Sequence, residues 1–278
     1  MDTLTQGLVA YKGVAVAAWL VLLFVLERMM PAATRPADGV ALAAGQSGAL
    51  ARAGWTRVAR NAGLFLVNAA ISPLIVVPVS AWATTHALGW RPTWLTGWTG
   101  LTFDLVLLDL WIYWWHRAVH RTPLLWRFHV VHHLDRFLDT TSATRFHFGE
   151  VLLSACVRAA VIVLAGIPLT SVLVFEALVL TASIFHHSNW RLPAGIERAL
   201  SRVIVTPSLH WMHHHAIRRD TDSTYGTIFS FWDRMFGSVA SGTRMPDMTI
   251  GVGAGDAPLE DERFLDLLAR PLRRASRR

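Results

Sequence analysis

The sequence predicts an all-α integral membrane protein, a helical bundle of three spans and a helical hairpin that carries a cytoplasmic, histidine-rich cap of helices. Three observations predict this fold. Of the 278 residues, 53% are hydrophobic and only 16% are charged, against about 25% charged in ordinary soluble domains. Long apolar segments alternate with short polar ones. All 13 histidines except His86 lie between His116 and His215, and many recur at the spacing of one helix face.

The apolar segments give the order of the helices. A helix needs about 20 mostly apolar residues to cross the hydrocarbon core of a bilayer. The candidate spans are residues 13–30, 62–87 and 98–115. Residues 151–185 are too long for one span and contain Gly166-Ile167-Pro168 near their middle, which favours a hairpin of two helices. Pro73 and Pro78 predict kinks in the second span.

Loop charge predicts the orientation of these spans. Residues 31–60 carry four arginines, whereas the loop after the second span carries only Arg91. Because cytoplasmic loops are enriched in Lys and Arg, we expect the N-terminus outside and the 31–60 loop in the cytoplasm. The third span then brings His116 to the cytoplasmic face, and the hairpin returns there at His186. The expected location is a bacterial inner membrane, with the histidine clusters and the C-terminus cytoplasmic.

Composition excludes several classes of function. Lys and Arg total 26 against 19 Asp and Glu, but no basic run alternates with aromatic residues, so nucleic-acid binding is not expected. The single cysteine, Cys156, excludes an intrachain disulfide framework, a cysteine-rich zinc site and a self-contained iron–sulfur cluster. The first apolar segment lacks a clear cleavage site and is interpreted as an anchor.

Three histidine clusters are candidates for metal binding. They read His116-x3-His120, His129-x2-His132-His133 and His210-x2-His213-His214-His215. Residues three and four apart share a helix face, and a neutral imidazole is the commonest metal ligand. A single pair is more often an ordinary interfacial feature. Three clusters on one face would leave many buried nitrogens unpaired without a metal, which is costly, and they suit two metal ions.

In this order, the clusters resemble the signature of the membrane fatty acid hydroxylase/sterol desaturase superfamily of di-iron oxygenases. The resemblance extends from about residue 98 to residue 241. Residues 145–150 are similar to the Arg-x-His-Pro-x-Glu element of the family, with Phe148 in place of proline, and residues 185–189 are similar to its Phe-x-His-x-Asn element. Residues 206–237 match its closing segment. The resemblance divides the chain into transmembrane segments with a cytoplasmic loop (1–97), a di-metal domain (98–241) and a basic amphipathic tail (242–278).

The resemblance implies oxidation of an unactivated C–H bond of a lipid by O2 and two electrons at two iron ions, with zinc as a possible substitute. No catalytic residue beyond the metal centre is implied. The ligand candidates are His116, His120, His129, His132, His133, His147, His187, His210, His213 and His214. Of these, His147 is either a ligand or a hydrogen-bond partner of one. His186 and His215 are interpreted as bystanders.

Metal-bound imidazoles usually donate their other N–H to a carboxylate or carbonyl. The candidate partners are Asp109, Glu150, Asn189, Asp222 and Asp233. An ordinary cap or salt bridge is an equally common role for such residues. Asp109 lies two helical turns before His116, within the third span, while Asp104 lies on a different face and is a weaker candidate. Glu176, in the hairpin, either pairs with Arg158 or lines the route of the substrate.

Two other classes of function stay open. One is a non-oxidative membrane zinc enzyme, although no cluster has the His-Glu-x-x-His pattern that supplies a base, and the other is a metal-binding membrane protein without catalysis. For an oxygenase, the electrons must come from a separate ferredoxin- or cytochrome-like protein, because no haem-attachment or dinucleotide motif is present. Hydroxylation is favoured slightly over desaturation. The lipid, sterol-like or fatty acyl, is not specified.

Overall fold

The protein is described by a computed structural model that covers residues 3–33, 47–252 and 263–273. Within these residues the regular elements are helices, joined by loops with a few isolated bridges. The predicted all-α class is therefore confirmed. Residues 34–46, which belong to the predicted cytoplasmic loop, and residues 274–278 of the basic tail lie outside the described residues.

Seven helices form the bundle and the start of the cap. They are α1 (Thr3–Met29), α2 (Ser47–Ile71), α3 (Val77–Thr85), α4 (Gly97–Arg121), α5 (Pro123–His133), α6 (Phe148–Ala165) and α7 (Leu169–His187). Five shorter helices follow. They are α8 (Ala194–Leu200), α9 (Pro207–His213), α10 (Arg218–Thr221), α11 (Phe231–Met235) and α12 (Phe264–Ala269). Two 3₁₀ turns, Thr140–Thr144 and Arg270–Leu272, complete the set.

Four helical segments of the described chain are long and apolar enough to cross a membrane. They are Ala10–Met29, Gly54–Thr85, Phe148–Ala165 and Leu169–His187. These correspond to the first two predicted spans and to the two arms of the hairpin. The third predicted span folds as α4 but is not one of the four. Asp104 and Asp109 lower its hydropathy, and both are fully buried among neighbouring helices and loops.

The second predicted span is one long helical segment with an irregular middle. A π-helical turn, Ser72–Val76, separates α2 from α3 and contains Pro73, which has no N–H to donate to the helix ladder. The first of the two predicted kink positions thus coincides with an irregular turn, and Pro78 lies in the first turn of α3. The predicted loop extended to residue 60, but residues 47–60 belong to α2. This stretch is rich in alanine and arginine, which favour helix.

The hairpin breaks where the sequence predicts. α6 ends at Ala165, and Gly166 adopts a left-handed conformation with φ of 66°, which glycine accepts without a steric penalty. Pro168 then precedes the first residue of α7. Buried side chains of α4, α6 and α7, such as Ile162 and Phe175, form the core that holds the hairpin against α3 and α4.

Two buried polar networks tie the N-terminal helices to the histidine end of the bundle. Glu27 of α1 accepts hydrogen bonds from the backbone N–H groups of Thr140 and Asn189, each at 3.0 Å. Arg57 of α2 donates to Asp135 at 2.7 Å and also pairs with Asp139. These contacts fix the loop between α5 and α6, and this loop supports the histidine-bearing helices.

Candidate metal centre

Nine buried or nearly buried histidines meet in two adjacent groups at one end of the bundle. The first group is His116, His120, His129, His133 and His213. The second group is His132, His187, His210 and His214. Within each group the nitrogen atoms lie within 4.8 Å of one another. These are the nine residues, apart from His147, that the sequence marks as ligand candidates.

The first group combines three helices. His116 and His120 lie one turn apart on α4, and His129 and His133 lie one turn apart on α5. The α4–α5 break at Pro123 turns these two pairs toward each other, and the ring centroids of His120 and His133 are 4.9 Å apart. α9 completes the group, because the ring of His213 meets that of His116 edge to face with their centroids 4.5 Å apart.

The second group joins α5, α7 and α9. The Nε2 atom of His187 lies 3.0 Å from Nε2 of His132 and 3.0 Å from Nε2 of His210. Nε2 of His214 lies 3.1 Å from Nε2 of His210. The two groups touch where the rings of His133 and His214 stack at 4.3 Å.

Hydrogen bonds on the opposite ring nitrogen hold several of these imidazoles in place. In four of them Nδ1 donates to a backbone carbonyl. The pairs are His116 with Tyr225 (2.8 Å), His132 with Arg145 (3.2 Å), His187 with Ser183 (2.8 Å) and His213 with Ser223 (2.7 Å). In His129 the acceptor is the Glu150 carboxylate, at 2.8 Å. Such bonds fix the tautomer and leave Nε2 as the lone-pair donor.

The arrangement fits metal ions because the imidazoles are otherwise poorly satisfied. With Nδ1–H bonded to carbonyls, the Nε2 atoms of His132 and His187 bring two lone pairs together at 3.0 Å. A proton does not relieve this, since burial, and then neighbouring imidazoles, hold the pKa of His132 well below its ordinary value. Nε2 of His120 and Nε2 of His213 are buried without a hydrogen-bond partner among the described residues. Unpaired buried nitrogens are costly, and a cation in each group would satisfy them.

The electrostatics of the groups favour the ligand form of imidazole. Burial lowers the pKa of His116 to about 3 and lowers the pKa of His133, His210, His213 and His214 well below the ordinary value, with further lowering by adjacent imidazoles. The rings are therefore neutral at physiological pH. An all-nitrogen donor set of this kind suits ferrous iron or zinc.

An apolar cavity of about 430 Å³ reaches the histidines from within the bundle. Its wall includes His116, His129 and His187 at one end, and apolar side chains from α2, α4, α6 and α7 along its length. A cavity of this size is typical of a binding site for a small molecule or a lipid chain.

A family model for fatty acid hydroxylases matches residues 101–238. The chain belongs to the fatty acid hydroxylase/sterol desaturase superfamily. The match covers α4 through α11 and so contains both histidine groups of this hydroxylase-family centre.

The chain is similar in sequence to proteins named as lipid hydroxylases or monooxygenases. The chain is 28% identical to an ornithine lipid hydroxylase of Rhizobium tropici over 74% of its length and 60% of that protein. It is 30% identical to an alkylglycerol monooxygenase of Danio rerio over 57% of its length and 34% of the relative. It is 31% identical to a cholesterol 25-hydroxylase-like protein of Danio rerio over 49% of its length and 53% of the relative. The chain thus spans less than two thirds of each relative. No solved structure matches it.

Three further histidines lie outside both groups of the family centre. His147 caps α6, where its Nδ1 accepts from the Gly149 N–H at 2.9 Å, and its Nε2 donates to the Leu268 carbonyl at 3.0 Å. Both of its ring nitrogens are therefore used in hydrogen bonds, and the structure does not bring it to the metal centre. His186 lies beside the second group, with its ring 4.0 Å from that of His210. His215 donates to Asp220.

Two predicted carboxylate partners, Asp109 and Asp233, accept hydrogen bonds from the segment before α11 and do not contact an imidazole. Asp109 accepts hydrogen bonds from the backbone N–H groups of residues 228 and 229 and from Trp232. Asp233 accepts from the N–H groups of Tyr225 and Gly226, at 2.7 and 3.0 Å. Their effect on the centre is indirect, because the carbonyl of Tyr225 is the acceptor for His116.

The other three candidate partners differ in their distance from the histidines. Glu150 contacts His129 directly, as described above. Asp222 lies 3.5 Å from Nδ1 of His120, beyond a good hydrogen bond. Asn189 clamps the backbone of Ala33 through its side-chain amide, at 2.8 and 2.9 Å, and contacts no imidazole.

Sequence reasoning missed the backbone carbonyls that orient the imidazoles, since a carbonyl has no residue-type signal. It also missed Asp135, whose carboxylate receives Arg57, Asn61 and Ser142 at 2.7, 3.1 and 2.8 Å. An aspartate two residues after His133 is a signal that could have directed attention there, but two of its three partners, Arg57 and Asn61, lie more than 70 residues away in α2.

Proposed function

We propose that the protein is a membrane-bound, O2-dependent lipid hydroxylase with two iron ions, one in each histidine group. The observation that carries this proposal is a cluster of nine imidazoles, five of which line one apolar cavity. When bound, the iron ions supply the activation of O2 that places one oxygen atom in a C–H bond and releases the other as water, with two electrons and two protons.

The residues of this chain bind and orient the reactants. The five-histidine and four-histidine groups hold the metals, while Glu150 and the backbone carbonyls fix the imidazole rings. The apolar wall of the cavity holds a hydrocarbon chain and excludes water. The relatives are named as an ornithine lipid hydroxylase, an alkylglycerol monooxygenase and a cholesterol 25-hydroxylase-like protein, which supports an amphiphilic lipid as substrate and hydroxylation as the reaction.

The electrons come from a separate ferredoxin- or cytochrome-like protein in this proposal, since the sequence has no motif for its own redox cofactor. We place the histidine end and the C-terminus in the cytoplasm of a bacterial inner membrane, where such carriers are available. A reporter fused to the C-terminus, active only in the cytoplasm, tests this orientation. An inactive fusion of this kind, together with activity of a second reporter that works only outside the cytoplasm, would contradict it.

The central experiment combines metal analysis with an oxygen-labelling assay. We expect about two iron ions per purified chain and a lipid product that carries label from isotopic O2. His187→Ala should lose metal and product, whereas His86→Ala should keep both, because His86 is exposed and bonded only to its own helix end. Zinc without iron, together with turnover that is unchanged under nitrogen, would overturn the proposal in favour of a zinc enzyme.

A further inference from the structure

An ion pair lies inside the hairpin, far from the histidines along the helix axes. Nη2 of Arg158 in α6 donates to Oε1 of Glu176 in α7 at 2.6 Å. The Arg158 side chain is 9% exposed and that of Glu176 is 27% exposed. Both residues lie within segments apolar enough to cross a membrane, where ionisable groups are rare and costly. Their presence in this position therefore calls for a specific role.

The pair stands in the wall of the cavity that reaches the metal centre. Both residues line the 430 Å³ cavity. Glu176 also lines a second cavity of about 510 Å³ between α1, α2 and α7, together with Lys12. Phe65 and Leu180 border both cavities. The ion pair is thus at the junction through which an amphiphile in the second cavity would reach the first.

The hydrogen bonding of the pair is incomplete. Nε of Arg158 is buried and has no hydrogen-bond partner among the described residues. A buried guanidinium N–H without an acceptor is unfavourable. The pair also lies where the two arms otherwise have little contact with each other, because α6 packs chiefly on α3 and α7 chiefly on α1. An oxygen atom supplied by a ligand in the cavity would complete it.

We infer that Arg158 and Glu176 bind a hydroxyl group of the substrate lipid. A hydroxyl is both acceptor and donor, so it can accept from the guanidinium and donate to the carboxylate at the same time. A carboxylate or phosphate would be repelled by the negative charge of Glu176, and an ammonium group would be repelled by the positive charge of Arg158. The neutral pair therefore selects a neutral hydroxyl. This inference rests on the proposed function for the claim that the bound lipid is then oxidised.

The geometry also sets the distance between the hydroxyl and the oxidised carbon. Glu176 precedes His187 by eleven residues of α7, or about 16 Å at 1.5 Å per residue. Arg158 follows Glu150 by eight residues of α6, or about 12 Å. An extended chain advances about 1.2 Å per bond, so the two ends of the substrate are separated by on the order of ten bonds. Arg158 and Glu176 thus determine which carbon reaches the metals.

A binding experiment tests the inference without turnover. Zinc-loaded protein in lipid nanodiscs is titrated with a long-chain primary alcohol, its methyl ether and the alkane of equal length. We expect the alcohol to bind about tenfold more tightly than the alkane, with the ether between them. The double variant Arg158→Met, Glu176→Leu should lose this preference. It should still fold, because apolar replacements of a buried ion pair are often neutral for stability. Leu178→Met, on the exposed face of α7, is the matched control and should keep the preference.

A second variant tests the inference even if the double variant does not fold. Glu176→Gln leaves the Arg158 charge uncompensated, so this variant should prefer a fatty acid carboxylate over the alcohol of equal length. Equal affinities of the native protein for alcohol and alkane, or a preference that survives in the double variant, would overturn the inference. Selective alcohol binding by a protein that oxidises no lipid would instead support the hydroxyl site and reject the proposed hydroxylase function.

Discussion

In five of the nine clustered imidazoles the two ring nitrogens differ in role, because Nδ1 donates to a carbonyl or carboxylate and Nε2 faces the other imidazoles. His129 is the one member of the nine whose acceptor is a close carboxylate, that of Glu150 at 2.8 Å. A carboxylate partner raises the basicity of a metal-bound imidazole, and its loss typically costs 10- to 100-fold in metal affinity or activity, to order of magnitude. We expect Glu150→Gln to weaken metal binding in the five-histidine group by about this factor.

Competition with a chelator measures this effect, with Asp247→Asn as control. Asp247 is exposed and far in sequence from the histidine-bearing helices. Its variant should therefore release metal at the same chelator concentration as the native protein. Equal metal retention by Glu150→Gln and native protein would show that the carboxylate does not support the centre.

His147 gives a second prediction at the residue scale. Its ring caps α6 and binds the Leu268 carbonyl, so His147→Ala should lower the free energy of unfolding by about 1–2 kcal/mol, as for the loss of a helix cap. It should keep the full metal content. Metal analysis and chemical unfolding of the purified variant measure the two quantities. Loss of one metal ion per chain would instead identify His147 as a ligand.

Residue-level prediction from the sequence succeeds where spacing determines position. His116 and His120, one turn apart, must share a face wherever α4 lies, and the structure brings them together. Asp109 does not contact His116, although it lies two turns away on the same helix, because two N–H groups of the loop before α11 and the indole of Trp232 in α11 occupy its carboxylate. Those donors are more than 110 residues away in the chain, so no local pattern reports them.

At the scale of elements, the loop that precedes α11 connects two parts of the centre. Gly226 lies in this loop directly after Tyr225, whose carbonyl accepts from His116, and its own N–H donates to Asp233. A Cβ atom at Gly226 would lie 2.7 Å from the Phe229 carbonyl oxygen and 2.8 Å from Oδ2 of Asp233. We therefore expect Gly226→Ala to displace the loop, to lower the free energy of unfolding by about 1–3 kcal/mol and to reduce metal occupancy.

Gly195→Ala is the matched control for this glycine. It lies in α8, where an added Cβ would meet nothing within 4 Å, and alanine favours helix over glycine. This variant should be as stable as the native protein or slightly more so, with unchanged metal content. Thermal unfolding and metal analysis of both variants provide the comparison. A Gly226→Ala protein with native stability and native metal content would show that the loop adapts without cost.

Element boundaries show where hydropathy alone misleads. The arginines of residues 47–60 predict a loop. Arg57 is instead buried in an ion pair with Asp135 and Asp139, so this charged stretch can be part of a helix. Conversely, α4 is helical as predicted, yet its aspartates are satisfied inside the fold, with Asp104 bound to Arg91 and Ser171. A hydropathy window records the charge of a side chain but not the partner that compensates it.

For the molecule as a whole, the centre is a cluster of imidazoles, most of them buried, and burial disfavours their protonated form. Outside the candidate spans, burial, and then neighbouring imidazoles, lower the pKa of His133, His213 and His214 well below the ordinary value. The pKa of histidine in an unfolded chain is about 6.5. Above this pH both states are neutral, and the histidines make stability independent of pH. Below it the unfolded chain binds protons that the folded chain does not, so stability falls as pH falls.

We therefore expect the metal-free protein to lose stability steeply between about pH 6.5 and pH 5, by about 1.4 kcal/mol per pH unit for each such histidine. Since native proteins are stable by only about 5–15 kcal/mol, a few histidines suffice to unfold it. Bound zinc, which competes with protons for the same nitrogens, should move this loss to lower pH. Thermal unfolding of both forms in detergent across this range measures the difference. Most carboxylates titrate below pH 5, and the pKa of Asp233, which burial raises, offsets only part of the loss, so a metal-free protein with a constant midpoint would mean that the imidazoles are not held neutral by burial.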